Sequence, residues 1–183
     1  MSSYKFRILI DTNEQEEIFR DITVPALENF ESFYTSILHA FGFRGDQLAS
    51  FYISNESWDK GHEIALMDMG TGAGLDSPSI MKETLIKDMV SNENQRFVLV
   101  YDFLKMWCFM IELIATTDEN LTEARVDLSV GEAPDEDSRD IELESEIDLH
   151  AAVDLGNDID DIFSEFDDEN DSDEFENLDD FDL

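Results

Sequence analysis

The sequence is poor in the residues that cross-link small secreted domains or anchor a chain in a membrane. Its 183 residues include one cysteine, Cys108, so an intramolecular disulfide and a cysteine-rich zinc site are both excluded. The N-terminal segment lacks the apolar stretch of a signal peptide. The longest apolar run, residues 106–111, is too short to cross a bilayer. We therefore expect a cytoplasmic protein that makes no membrane contact.

Basic residues are also scarce. The chain has 11 Lys and Arg against 46 Asp and Glu, which gives a net charge of −35. Residues 1–115 carry −9 of this charge, and residues 116–183 carry −26. Both parts repel nucleic-acid phosphates and anionic lipid surfaces. Direct nucleic-acid binding is therefore disfavoured, and we expect a protein partner of basic character.

Motifs that carry chemistry are few. His39, His62 and His150 lack metal-ligand spacing, and the glycines of 70–74 lack the lysine of a phosphate-binding loop. The acidic run 167–176 does not fit an EF-hand loop. No Ser/His/Asp or Cys/His arrangement is supported by spacing. We expect no catalytic residue, metal, cofactor or small-molecule substrate. A non-enzymatic role is therefore favoured, and an enzyme remains the alternative.

The N-terminal third predicts a β-hairpin followed by a helix. Apolar residues alternate in Tyr4–Asp11 and in Glu17–Val24, which indicates two strands joined by a turn over 11–16. After Pro25 the apolar spacing becomes helical, and Gly42 provides a C-terminal stop. The helical apolar residues are Phe30, Phe33, Tyr34, Ile37, Leu38 and Phe41.

Further segments predict more strands, which gives an α+β fold with a mainly antiparallel sheet packed on the helix. The predicted strands are Leu48–Ser54, Glu63–Met67, Arg96–Phe103 and Met106–Ile114. The last two are the most apolar, and their β-branched and aromatic content favours a central position. One or two helical turns are predicted in Thr84–Val90, after a glycine-rich loop over Gly70–Pro78.

The composition changes after Ala115, where aromatic residues disappear until Phe163 and acidic residues become dense. We predict a domain over 1–115, a boundary region over 116–135 and an acidic, mostly disordered tail over 136–183. In residues 157–183, 14 of 27 side chains are acidic and none is Lys or Arg. Such a segment cannot bury enough apolar surface to offset the cost of ordering.

One apolar stripe interrupts the acidic tail and is the predicted partner-binding site. Ile159, Ile162, Phe163 and Phe166 have helical spacing, and Asn157 could cap the helix. The segment is shorter than the ~12 to 15 residues that an isolated helix needs, so it would form mainly on a partner. Docking on its own domain and absence of structure are the alternatives.

Four motifs in order resemble the plasmid pRiA4b ORF-3-like family, over roughly residues 4–115. They are IFRDITVP (Ile18–Pro25), AFGF (Ala40–Phe43), QLASFYI (Gln47–Ile53) and YDFLKMWCFMIEL (Tyr101–Leu113). VGEAPDE (Val130–Glu136) is similar to a Gly/Pro/acidic segment that follows in the family. The resemblance implies an α+β fold and no established biochemical role.

The departures from the family pattern concern three histidines. The matching positions here are Tyr34, Gln47 and Phe109, so the resemblance implies that any histidine site of the relatives is absent. One strand face would then be plain core. Its residues are Trp107, Phe109, Ile111 and Leu113.

Three functions compete at this level. The first is a non-catalytic interaction or scaffold protein whose acidic tail binds a partner. The second, implied only by relatives that are passengers of mobile elements, is an enzyme or accessory protein associated with mobile DNA. The third is a nucleic-acid mimic, in which tail carboxylates imitate phosphates and occupy a DNA-binding protein.

Overall fold

The computed structural model describes residues 2–70, 74 and 77–141. These residues form an eight-stranded sheet in the order β5-β4-β3-β6-β7-β1-β2-β8, with neighbours antiparallel except β4 and β5. The strands are β1 (Ser3–Ile10), β2 (Phe19–Pro25), β3 (Ala49–Ser54), β4 (Lys60–Ala65), β5 (Ser79–Ile80), β6 (Arg96–Tyr101), β7 (Trp107–Thr117) and β8 (Arg125–Val130). The helices are α1 (Phe30–Phe41) and α2 (Ile86–Met89), with 3-10 turns at Met81–Glu83 and Glu136–Ser138.

The α+β class and the N-terminal hairpin are confirmed. β1 and β2 pair antiparallel from Ser3 opposite Pro25 to Leu9 opposite Phe19. The two most apolar strands, β6 and β7, lie at the centre of the sheet as predicted. Because a central strand has both backbone edges paired and its faces largely covered, it tolerates the continuous apolar sequence found there.

Helix α1 ends at the predicted stop, Gly42, and its first turn is capped by Asn29. The Asn29 side chain accepts a hydrogen bond from the Ser32 N–H at 2.9 Å, which satisfies one of the free amides of the first turn. Gly42 has φ +74°, a left-handed conformation that glycine adopts without cost, and its N–H donates to the His39 carbonyl at 3.1 Å. All six predicted apolar residues of α1 are buried.

The core lies between α1 and the sheet and is built largely of phenylalanine rings. Phe33 of α1 stacks on Phe51 of β3 with ring centroids 5.8 Å apart, and it lies 5.0 Å from Phe6 of β1. The predicted core face of β7 is confirmed, since its four side chains are at most 2% exposed. They are Trp107, Phe109, Ile111 and Leu113.

The sheet continues past residue 115 into the predicted boundary region, 116–135. Strand β7 continues to Thr117, and β8 lies within the predicted boundary region and pairs with β2. The described residues belong to one compact unit. β8 was missed because it is an edge strand with mostly exposed side chains, so it lacks the apolar alternation of a half-buried strand. No helix of the described residues is long and apolar enough to cross a membrane.

Candidate functional site

A buried carboxylate, Glu136, lies at the centre of a polar cluster beyond the C-terminal end of α1. It is 5% exposed, although it belongs to an acidic stretch of the sequence. Its Oε1 accepts a hydrogen bond from the Tyr101 hydroxyl at 2.6 Å, and its Oε2 accepts from the Arg44 backbone N–H at 2.8 Å. The Trp107 indole N–H donates to the Glu136 carbonyl at 3.2 Å. A buried carboxylate requires such partners, since leaving it unpaired is costly.

Tyr101, at the end of β6, is the main donor to this carboxylate. Its hydroxyl accepts from the N–H groups of Gly45 at 3.1 Å and Asp46 at 3.2 Å. Asp46 Oδ1 also lies 3.2 Å from the hydroxyl, so the shorter distance assigns the single proton to Glu136. Burial and the Glu136 carboxylate raise the pKa of Tyr101 well above its usual range, so the hydroxyl stays protonated.

Tyr34 of α1 completes the interior of the cluster. Its ring centroid lies 6.4 Å from that of Tyr101, and the residue is 5% exposed. Its hydroxyl is buried without a hydrogen-bond partner in the described part of the chain. Burial and the charges of Glu136 and Asp46 raise the pKa of Tyr34 to about 12. We refer to Tyr34, Asp46, Tyr101 and Glu136 as the Glu136 cluster.

An exposed ion-pair network borders the Glu136 cluster. Arg44 binds the Asp137 carboxylate with both terminal nitrogens, at 2.8 and 3.1 Å, and Lys105 Nζ lies 3.0 Å from the same group. Hydrogen bonds from Arg44 and Lys105 hold the pKa of Asp137 well below its usual range. This carboxylate therefore remains ionised at any pH near neutrality.

Arg139, two residues after Asp137, also binds this segment to the domain. Its guanidinium carbon lies 4.2 Å above the centre of the Trp107 ring system, a cation–π contact. Its terminal nitrogens donate to the carbonyls of Met106 at 2.6 Å and Asp11 at 2.9 Å. Glu136, Asp137 and Arg139 thus attach the segment after β8 to three distant parts of the domain.

The arrangement is suited to attachment more than to catalysis. Both oxygens of Glu136 already accept hydrogen bonds, and the hydroxyl that faces them is held neutral. A general base must reach a substrate proton, and this carboxylate is only 5% exposed. Within residues 2–70, 74 and 77–141, no group of three His, Cys, Asp or Glu side chains could hold a metal ion.

Two of the three positions at which the resemblance implies histidines lie in or beside the Glu136 cluster, and the third, Phe109, is linked to it through the Phe43 ring. Tyr34 belongs to it, and the amide nitrogen of the exposed Gln47 lies 3.5 Å from Asp46 Oδ1. Phe109 is fully buried, 5.7 Å from the Phe43 ring, which in turn lies 5.9 Å from Tyr101. Aromatic rings thus occupy two of the positions, and Phe109 has no titratable group.

The predicted partner-binding residues lie outside the described part of the chain, which ends at residue 141. They are Ile159, Ile162, Phe163 and Phe166. The burial of Glu136 was not predicted, because carboxylates in an acidic stretch are usually solvated. The only available signal was the match of Val130–Glu136 to a Gly/Pro/acidic family segment.

The model of the plasmid pRiA4b ORF-3-like protein family matches residues 2–176. The chain belongs to this family. The match extends well past the 4–115 predicted from the motifs, through β8, Glu136 and most of the acidic tail of this pRiA4b ORF-3-like protein. The predicted tail is thus mostly inside the family region.

Among solved structures, the chain is similar to MM3350 from Methanosarcina mazei Go1, a protein of unknown function. The TM-score is 0.57 at 18% sequence identity, and the alignment covers 70% of this chain and 69% of that chain. At this identity the likeness shows a shared fold. The comparison with curated proteins gave no match.

Proposed function

We propose that this pRiA4b ORF-3-like protein is a non-catalytic interaction protein, in which the domain presents an acidic C-terminal segment to a basic protein partner. The observation that carries the proposal is the burial and internal hydrogen bonding of the Glu136 cluster. Where the resemblance implies a histidine, Phe109 is buried among aromatic rings, and both carboxylate oxygens of Glu136 accept hydrogen bonds from within the domain. This part of the domain therefore favours a structural role.

The C-terminal segment has the composition of a partner-binding region. Residues 142–183 contain 19 Asp and Glu and no Lys or Arg. The apolar stripe of Ile159, Ile162, Phe163 and Phe166 would enter a hydrophobic groove, while the surrounding carboxylates meet Lys or Arg at its rim. Long-range attraction would accelerate the encounter, and the apolar side chains would slow dissociation.

The test compares capture of proteins from an extract of the source cells by two forms of the full chain. The double variant Phe163→Ala/Phe166→Ala keeps the net charge and removes the aromatic part of the stripe. We expect the variant to lose the partner that the parent chain captures. Capture by both forms at equal yield would contradict a groove-bound stripe.

Nucleic-acid mimicry is the second candidate, because 14 of the 27 side chains of residues 157–183 are acidic. A mimic would act through charge alone, with carboxylates in place of phosphates. It predicts that exchanging Asp158, Asp160 and Asp161 for Asn weakens capture while the phenylalanine variant retains it. The interaction proposal predicts the larger loss in the phenylalanine variant.

A further inference from the structure

The α1-facing side of the sheet is not covered evenly by helical elements. Helix α1 is about 10 Å wide, whereas eight strands span roughly 34 Å. Near β4 the buried side chains of Met81 and Ile86 extend the core beyond α1. Beside β8, Val126 remains 44% exposed, although it lies opposite the buried Ile22 of β2. A groove therefore runs between α1 and β8.

This α1–β8 groove consists of two adjoining cavities of about 220 and 490 Å³. Both cavities are lined by Thr35, Ser36 and Ala124, so the two cavities adjoin each other. The smaller cavity is lined by Ile22, Ala124 and Val126 and, on α1, by Thr35, Ser36 and His39, and its apolar residues form one end of the groove. A branched aliphatic side chain of a bound peptide would fit against Ile22 and Val126.

The larger cavity forms an acidic end. Glu28, Glu31 and Glu123 line it, and none of them takes part in an ion pair of the described residues. The hydroxyls of Thr35 and Ser36 donate to carbonyls one turn earlier in α1, at 2.9 Å each. Because no described cationic side chain pairs with these carboxylates, the charge of this end is not neutralised. Cationic side chains would be attracted to it.

β8 supplies a backbone edge next to the groove. It is the last strand of the sheet and pairs with β2 on one side, and no described strand pairs with its other side. An unpaired edge accepts an extended peptide as an additional strand. A second copy of the chain is a poorer occupant, because its own acidic groove would lie beside this one and like charges would repel.

We propose that the α1–β8 groove binds an extended basic segment of a partner protein, which adds a strand to β8. Lys or Arg side chains of this segment meet Glu28, Glu31 and Glu123, and an aliphatic side chain rests against Val126. The site belongs to the domain itself and does not depend on the apolar stripe of the C-terminal segment. The two interactions are therefore separable by mutation.

The test uses the full chain at 0.15 M salt and a fluorescein-labelled nine-residue peptide that alternates lysine and valine. A matched peptide has proline in place of two central valines, which preserves charge and prevents strand pairing. We expect the first peptide to bind more tightly and to shift the backbone amide NMR signals of residues 125–130. Equal affinity for both peptides, or shifts confined to residues beyond 141, would overturn the proposal.

Two charge variants locate the binding site. Glu31→Gln/Glu123→Gln should weaken binding of the lysine–valine peptide about tenfold. Glu83→Gln/Asp88→Asn removes the same charge at exposed positions outside the groove and should leave the affinity unchanged. Equal losses in the two variants would show nonspecific attraction to the acidic chain. Analytical ultracentrifugation measures the oligomeric state. If the parent chain sediments as a dimer and Val126→Asp sediments as a monomer, the groove binds a second copy and the proposal is overturned.

Discussion

Two tyrosine-to-phenylalanine exchanges should have opposite effects, although both remove one buried hydroxyl from the same cluster. Tyr101→Phe removes the proton donor to Glu136 and the acceptor of two backbone N–H groups. A hydrogen bond to a charged group contributes about 1.5 to 3 kcal/mol, and the orphaned groups add to the loss. We expect Tyr101→Phe to lower the free energy of unfolding by about 2 to 4 kcal/mol.

Tyr34→Phe is the matched control. The Tyr34 hydroxyl has no hydrogen-bond partner in the described part of the chain, so its removal should leave stability unchanged or raise it by up to about 1 kcal/mol. Urea denaturation monitored by circular dichroism measures both variants. A loss of 2 kcal/mol or more in Tyr34→Phe would refute the reasoning, because it would show that this hydroxyl has a bound partner.

The same residue predicts an alkaline effect. Burial raises the pKa of Tyr34 in the folded chain to about 12, above the ordinary tyrosine pKa of about 10, so folding favours the neutral phenol. The stabilisation that comes from this raised pKa is fully present below pH 10 and is lost as the pH rises toward 12. The parent chain should therefore lose about 1 kcal/mol more than Tyr34→Phe between pH 9 and pH 11. Parallel stability curves for the two proteins would contradict the raised pKa.

Three further predictions concern the core, the ion-pair network and the acidic segment. Phe109→His should lower the free energy of unfolding by about 1 to 3 kcal/mol, because it places an unpaired polar ring in the core. The control Phe103→His, at an exposed position, should change stability little in the same thermal or urea unfolding. Asp137→Asn should lower the melting temperature most above pH 5, and its difference from the parent should shrink progressively as the pH falls from the ordinary aspartate pKa of about 3.9 toward the depressed native pKa. Deletion of residues 142–183 should leave the melting temperature within about 5 °C of the parent value. A larger fall corresponds to a loss of more than about 1 kcal/mol in the free energy of unfolding and would show that the segment stabilises the domain.

The elements that the sequence predicts well are those whose side chains meet one uniform environment. The apolar residues of α1 recur every three or four positions because one side of the helix faces the core, so Phe30 to Phe41 could be recognised directly. The alternation from Trp107 to Leu113 has the same cause in a strand. β8 has no such contrast, because almost all of its side chains are exposed.

The Glu136 cluster was beyond sequence reasoning for a different reason. Its hydrogen bonds join residues 35 and 92 positions apart, from Tyr101 and Arg44 to Glu136. Neither residue type nor spacing indicates which one of many carboxylates is buried. The resemblance implied that any histidine site of the relatives is absent, and the structure places Tyr34 in the Glu136 cluster, Gln47 beside it and Phe109 next to the Phe43 ring.

The most direct test of the proposed function is the binding kinetics of the captured partner on the immobilised full chain, measured by surface plasmon resonance. The account predicts that Phe163→Ala/Phe166→Ala accelerates dissociation about tenfold or more with little change in the association rate. Raising the salt concentration should chiefly slow association of the parent chain. Unchanged dissociation in the phenylalanine variant would contradict the central claim that the apolar stripe of the acidic segment holds the partner.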